Sequence, residues 1–156
     1  MSIKQPPVSL PSHYDGSARL PPDEVLRPLM DDWARAGKRL AAVCYLDVDR
    51  FAELNDRLGM IAGNAALEEV ARRIKAQLPR ESVMARVGGD EFAAVFAGLG
   101  TSQCAQVLER IQNALAEPWT WRDQTASIDA SIGAMMLDSN GPPPEIALRQ
   151  AQHAAF

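Results

Sequence analysis

Apolar and polar residues alternate along this chain with distinguishable periods. Leu40-Ala-Ala-Val-Cys-Tyr-Leu46 is an unbroken apolar run, long enough for one fully buried strand and too short for much else. From Ala62 to Leu78 the apolar residues Leu67, Val70, Ala71, Ile74 and Leu78 fall on one face, which predicts a helix stopped by Pro79. A second stripe of Cys104, Val107, Leu108, Ile111 and Leu115 predicts a helix capped by Thr101 and closed by Pro118. Between them, residues 83–97 read as two β-favouring flanks around Gly88-Gly89, a hairpin whose glycines are expected to supply the positive φ values of a two-residue turn. Arg50 to Leu58 reads as a short helix ended near Gly59, and Trp119–Arg122 and Thr125–Leu137 as two further strands that pair. Upstream, Pro22-Asp23-Glu24 opens a helix whose stripe is Val25, Leu26, Leu29, Met30 and Trp33, with Pro28 set to kink it. Glu145 to Phe156 begins a last helix that the sequence cuts short. This order predicts an α+β fold, with helices packed against an antiparallel sheet.

At 156 residues, 47% hydrophobic and 23% charged, the chain suits one soluble domain with a sizeable core. Residues 1–20, rich in Pro, Ser and Gly, are expected to be a flexible lead-in to a domain over residues 21–156. A net charge of −4 argues against a nucleic-acid binder, which needs a basic face. No apolar stretch approaches the length of a membrane span and no signal peptide is evident, so a cytoplasmic domain without membrane contact is expected. Cys44 and Cys104 both fall at apolar positions and read as reduced core thiols.

The chemistry concentrates in two acidic clusters at the ends of apolar strands. Asp47-Val48-Asp49 ends the first strand, and Asp90-Glu91 follows the Gly-Gly turn. Adjacent carboxylates repel each other unless water or a cation offsets the repulsion. Asp47 and Asp49 share a strand face because side chains alternate with period two. Hard divalent cations take carboxylate and carbonyl oxygens, so Asp47, the Val48 carbonyl and Asp90 would make such a site if the strands are neighbours. Capping of the following helix is an equally good reading of Asp47 and Asp49.

Gly88-Gly89-Asp90-Glu91-Phe92, Asp47-Val48-Asp49-Arg50-Phe51, Asn55-Asp56-Arg57-Leu58-Gly59 and Ser131-Ile132-Gly133 together resemble the GGDEF family of diguanylate cyclases, in family order and at family spacing over roughly residues 15–156. The resemblance implies a βαββαβ core like the palm of nucleotide polymerases, a nucleotidyl cyclase or ferredoxin-like arrangement with extra elements. It implies joining two GTP into cyclic di-GMP with loss of pyrophosphate, each 3′-hydroxyl attacking the other nucleotide's α-phosphate. Magnesium, or manganese, would be the cofactor. By position, Asp47, Val48 and Asp90 become metal ligands, and Asp90 and Glu91 the catalytic acids. Arg50 and Phe51 become phosphate-binding backbone, Gly88 and Gly89 the nucleotide's close approach, and Asn55 and Asn64 the contacts to guanine. Turnover would need a homodimer, since one copy holds one GTP. An EAL phosphodiesterase or sensory domain is a common neighbour.

The sequence departs from the family at four places. Ala52 replaces a lysine near the phosphates, and Gly59-Met60-Ile-Ala-Gly63-Asn64 stands for Gly-His-x-x-Gly-Asp. The family's opening Asn-Arg is gone. Ala151-Gln152-His153-Ala154-Ala155-Phe156 stands where the terminal helix leads to another lysine. The family's product-inhibition motif, Arg-x-x-Asp, falls on Pro79 and Ser82, so no inhibitory site of that kind is expected. Three classes stay open: a diguanylate cyclase with slowed turnover, a degenerate domain that senses GTP and regulates a neighbour, and a dimerisation module without nucleotide.

Overall fold

The computed structural model describes residues 28, 31, 35, 37, 40–80, 82–136, 150, 151, 153 and 154. The lead-in over residues 1–20, the apolar stripe of the helix after Pro22 and most of the last helix lie outside the described residues. Pro28, Asp31 and Arg35 are helical, as are Gln150, Ala151, His153 and Ala154.

The chain runs β1 (Leu40–Val48), α1 (Phe51–Leu58), α2 (Met60–Gln77), β2 (Ser82–Arg86), β3 (Glu91–Ala97), α3 (Thr101–Leu115), β4 (Trp119–Trp121), β5 (Gln124–Ala126) and β6 (Ala130–Met136). Four strands form one antiparallel sheet in the order β2-β3-β1-β6, which is the expected α+β, palm-like core. The central strands are the most apolar, and all seven residues of β3 are buried. Ala42, Cys44, Leu46 and Val48 turn one face of β1 toward Leu67, Val70 and Ile74 of α2 and Val107 and Ile111 of α3. By the period of two, Val43, Tyr45 and Asp47 occupy the opposite face. Burial pushes the Cys44 thiol up to about 12 and raises that of Cys104, as suits inert core cysteines. Among the described residues no helix is long and apolar enough to cross a membrane.

Four expectations need correction. Gly88 and Gly89 do not adopt positive φ, and the turn between β2 and β3 spans residues 87–90 rather than two. Thr101 is the first residue of α3; Gly100 precedes it as the N-cap, its N–H donating to Gln103 Oε1 at 2.9 Å. The α2 helix starts two residues early, at Met60, because Gly59 (φ 93°) breaks the chain direction there. Thr125–Leu137 is not one strand. Residues 124–126 pair with β4 in a separate two-stranded sheet, and residues 130–136 pair with β1. At the crossing, the Asp129 carbonyl accepts from Asp49 N–H (2.8 Å), which fixes the chain to β1 before β6 begins.

Candidate active site

The β1–β3 ladder sets Asp47 opposite Glu91, and Val48 N–H donates to the Asp90 carbonyl at 3.0 Å. The turn is therefore tied to the end of β1, and both acidic clusters arrive at one corner of the sheet. Asp47, Asp90 and Glu91 each bring a carboxylate oxygen within 4.8 Å of the other two. A cation bridging two oxygens through magnesium–oxygen bonds of about 2.0–2.1 Å spans up to about 4.2 Å, so this spacing fits one hard cation with slight closure. The all-oxygen donor set suits magnesium or manganese rather than a thiolate-seeking metal. Val48 belongs to the same corner through its backbone and is itself buried.

Glu91 is 5% exposed, and Tyr45 Oη donates to its Oε2 at 2.7 Å. A Cβ on Gly88 would come within 2.7 Å of that same oxygen. The glycine at 88 therefore leaves room for a carboxylate instead of supplying a turn conformation. Arg86 braces the turn by donating from Nε to the Gly88 and Gly89 carbonyls, each at 3.1 Å.

Helix capping by Asp47 or Asp49 does not occur. The N-cap of α1 is Arg50, with no side-chain cap, and Asp49 Oδ1 instead accepts from Ser131 Oγ at 2.7 Å. Arg50 is held in the left-handed region (φ 52°), a strained conformation for a residue with a Cβ, where β1 turns into α1. Its guanidinium reaches Asp129 at 2.6 Å in a half-exposed pair. The first-turn N–H groups of an uncapped helix are free to take an anion, and Phe51 begins that turn. Ala52 is exposed on the same turn.

Asn55 packs against Gly63, where an added Cβ would lie 1.7 Å from Asn55 Oδ1. That oxygen is buried and, among the described residues, has no hydrogen-bond partner. Asn64 sits exposed within α2, beyond its first turn, so it caps no helix. Ser82 Oγ donates to the Pro79 carbonyl at 2.6 Å, a neutral contact at the inhibitory register. The Tyr45–Glu91, Ser131–Asp49 and Arg50–Asp129 contacts were not anticipated from sequence; only the strand register places those partners together.

An antiparallel β2-β3-β1-β6 sheet with a Gly-Gly-Asp-Glu turn locked against an Asp-Val-Asp strand end defines a nucleotidyl-cyclase palm. Residues 12–156 match the family "Diguanylate cyclase, GGDEF domain", and the chain belongs to it. It is 33% identical over 152 residues to the diguanylate cyclase TpbB of Pseudomonas aeruginosa, covering 93% of this chain and 34% of TpbB. This chain thus spans about a third of that relative. The solved GGDEF domain of TpbB is similar at a TM-score of 0.72 and 33% identity, covering 83% of this chain and 76% of that one. An EAL/GGDEF domain protein from M. capsulatus is similar at a TM-score of 0.69 and 31% identity, covering 86% of this chain and 90% of that one.

Proposed function

We propose that this chain is the GGDEF domain of a cyclic di-GMP signalling protein and that it binds GTP together with a divalent cation. Paired with a second copy, it condenses two GTP into cyclic di-GMP with release of pyrophosphate. The observation that carries this reading is the convergence of Asp47, Asp90 and Glu91 within 4.8 Å of one another. A bound magnesium or manganese ion would offset charge on the phosphates and lower the pKa of the attacking hydroxyl. Asp47, Asp90 and the Val48 carbonyl are the groups that would hold it. The backbone at Arg50 and Phe51 meets phosphate oxygens at the start of α1, and Gly88 and Gly89 let the nucleotide approach the turn. The half-buried Asn55 side chain and exposed Asn64 provide the two contacts to guanine. Asp90 and Glu91 face the reacting centre. The domain works on the cytoplasmic side, over residues 21–156, joined in a longer protein to an EAL or sensory domain.

A second reading, a GTP-sensing domain without turnover, is favoured by exposed Ala52, which puts no cation beside the phosphates. Losing one charge-assisted contact there costs about 1.5–3 kcal/mol, roughly tenfold to a hundredfold in rate if it is made in the transition state. Incubation with magnesium and GTP at rising protein concentration separates the two. Cyclic di-GMP formed at a rate rising faster than linearly with protein supports the cyclase. Bound GTP without product supports the sensor, and no bound GTP overturns both.

A further inference from the structure

Tyr45 lies in the middle of the most buried strand, yet it carries a hydroxyl. Its neighbours across the ladders are Ala93 on β3 and Gly133 on β6, both small, so the phenol has space along the sheet face. Glu91 lies two residues before Ala93 and therefore on the same face, diagonal to Tyr45. Tyr45 is 0% exposed, and its Oη donates to Glu91 Oε2 at 2.7 Å. A phenylalanine would fill the same ring space. What tyrosine adds is one donor, placed on a carboxylate that is itself 5% exposed. Gly88 converges on the same atom, since a Cβ there would press on Oε2 at 2.7 Å. Oε2 is thus fixed by a donor on one side and close backbone on the other. A carboxylate has roughly four acceptor positions, so a phenol donor and a cation can share Glu91.

We infer that Tyr45 is a positioning residue that holds the Glu91 carboxylate toward the cation shared with Asp47 and Asp90. This rests on the metal-binding reading above. Removing the hydroxyl withdraws the donor at Glu91 Oε2, and the site loses part of the arrangement that orients this carboxylate even though no metal ligand has been changed.

Manganese affinity, followed by electron paramagnetic resonance, tests this on the wild-type chain, Tyr45→Phe, Glu91→Ala and the double variant. Tyr45→Phe should weaken manganese binding about tenfold, the usual scale for losing a hydrogen bond that orients a ligand. In manganese affinity the double variant should match Glu91→Ala, the outcome expected if Tyr45 bears on the metal through Glu91. The rise in Tm produced by saturating manganese should shrink in Tyr45→Phe. Unchanged manganese affinity in Tyr45→Phe, beside a loss in Glu91→Ala, overturns the positioning role. So does a lower metal-free Tm with the metal-induced rise intact, which is what a purely structural hydroxyl would give. A wild-type chain that binds no manganese removes the metal reading itself, and this inference with it.

Discussion

Arg73 and Glu91 are the buried charged residues among those described, and the fold treats them in opposite ways. Arg73 projects from α2 into the end of α3. It donates to Glu69 Oε1 (3.0 Å) and to the carbonyls of Ala114 (3.1 Å), Glu117 (2.7 Å) and Pro118 (3.2 Å). Those carbonyls belong to a helix C-terminus and the chain just after it, where acceptors lack intrahelical partners and a cation is favoured. Charge, donors and acceptors all match, so this cluster is complete without a ligand. Glu91 instead stands with two more carboxylates inside 4.8 Å. Like charges so close oppose one another. The first cluster fastens two helices; the second gathers three carboxylates at the end of β1. Substitutions should therefore lower stability at one and ligand binding at the other.

The largest effect is expected at the clamp. Arg73→Ala leaves several acceptors unpaired and should lower stability by about 3 kcal/mol. In a domain of this size that is a fall in Tm of about 6–12 °C by calorimetry, with metal affinity kept in the protein that remains folded. At the acidic corner, Asp90→Ala should cut magnesium-dependent GTP affinity by roughly tenfold to a hundredfold, about 1.5–3 kcal/mol, with little change in Tm. If Asp90→Ala lowered Tm and left binding alone, the contrast between the two clusters would collapse.

Asn64→Asp sharpens the comparison on the nucleotide side. An aspartate accepts from two adjacent donors, as guanine offers, whereas an amide presents one donor and one acceptor. GTP affinity should rise by about 1–2 kcal/mol and ATP affinity barely change, measured by calorimetry with both nucleotides on both variants. Because Asn64 lies within α2, a capping effect does not compete with this explanation.

The smallest effect concerns Glu69, whose carboxyl is held at about 2, against an ordinary 4.5, first by its hydrogen bond from Arg72 and further by Arg73. A depressed folded-state pKa stabilises the protein above the unfolded value, and that stability is lost as pH falls from about 4.5 toward 2. The Glu69 side chain is 19% exposed and that of Arg72 is 68% exposed, so solvent screening leaves about 0.5–1 kcal/mol. Glu69→Gln should melt lower than the wild-type chain at pH 7, and the gap should close as the two are compared at falling pH.

The elements built from local pattern were legible in the sequence. Leu40–Leu46 as a buried strand, the α2 and α3 stripes and the two flanks of the Gly-Gly turn follow from side-chain periodicity alone. What was not legible depends on register. Nothing in Thr125–Leu137 marks a strand break, because Ser127-Ile128-Asp129 contains no glycine or proline. The chain changes sheet there through the Asp129 carbonyl and Asp49, partners far apart in sequence. A Gly-Gly pair between two strands suggests positive φ, whereas Gly88 leaves the space beside Glu91 Oε2. The acids themselves could be named from sequence, but Tyr45 could not be joined to Glu91 until Asp47 was known to face Glu91 across the ladder.

The most direct test of the acidic corner is a calorimetric titration of GTP into the wild-type chain, first with magnesium or manganese and then with a chelator in excess. If Asp47, Asp90 and Glu91 hold a cation that meets the nucleotide, GTP binds in the presence of metal and the heat disappears with the chelator. Binding of equal strength under both conditions, or no binding under either, would contradict a metal–nucleotide site at the end of β1.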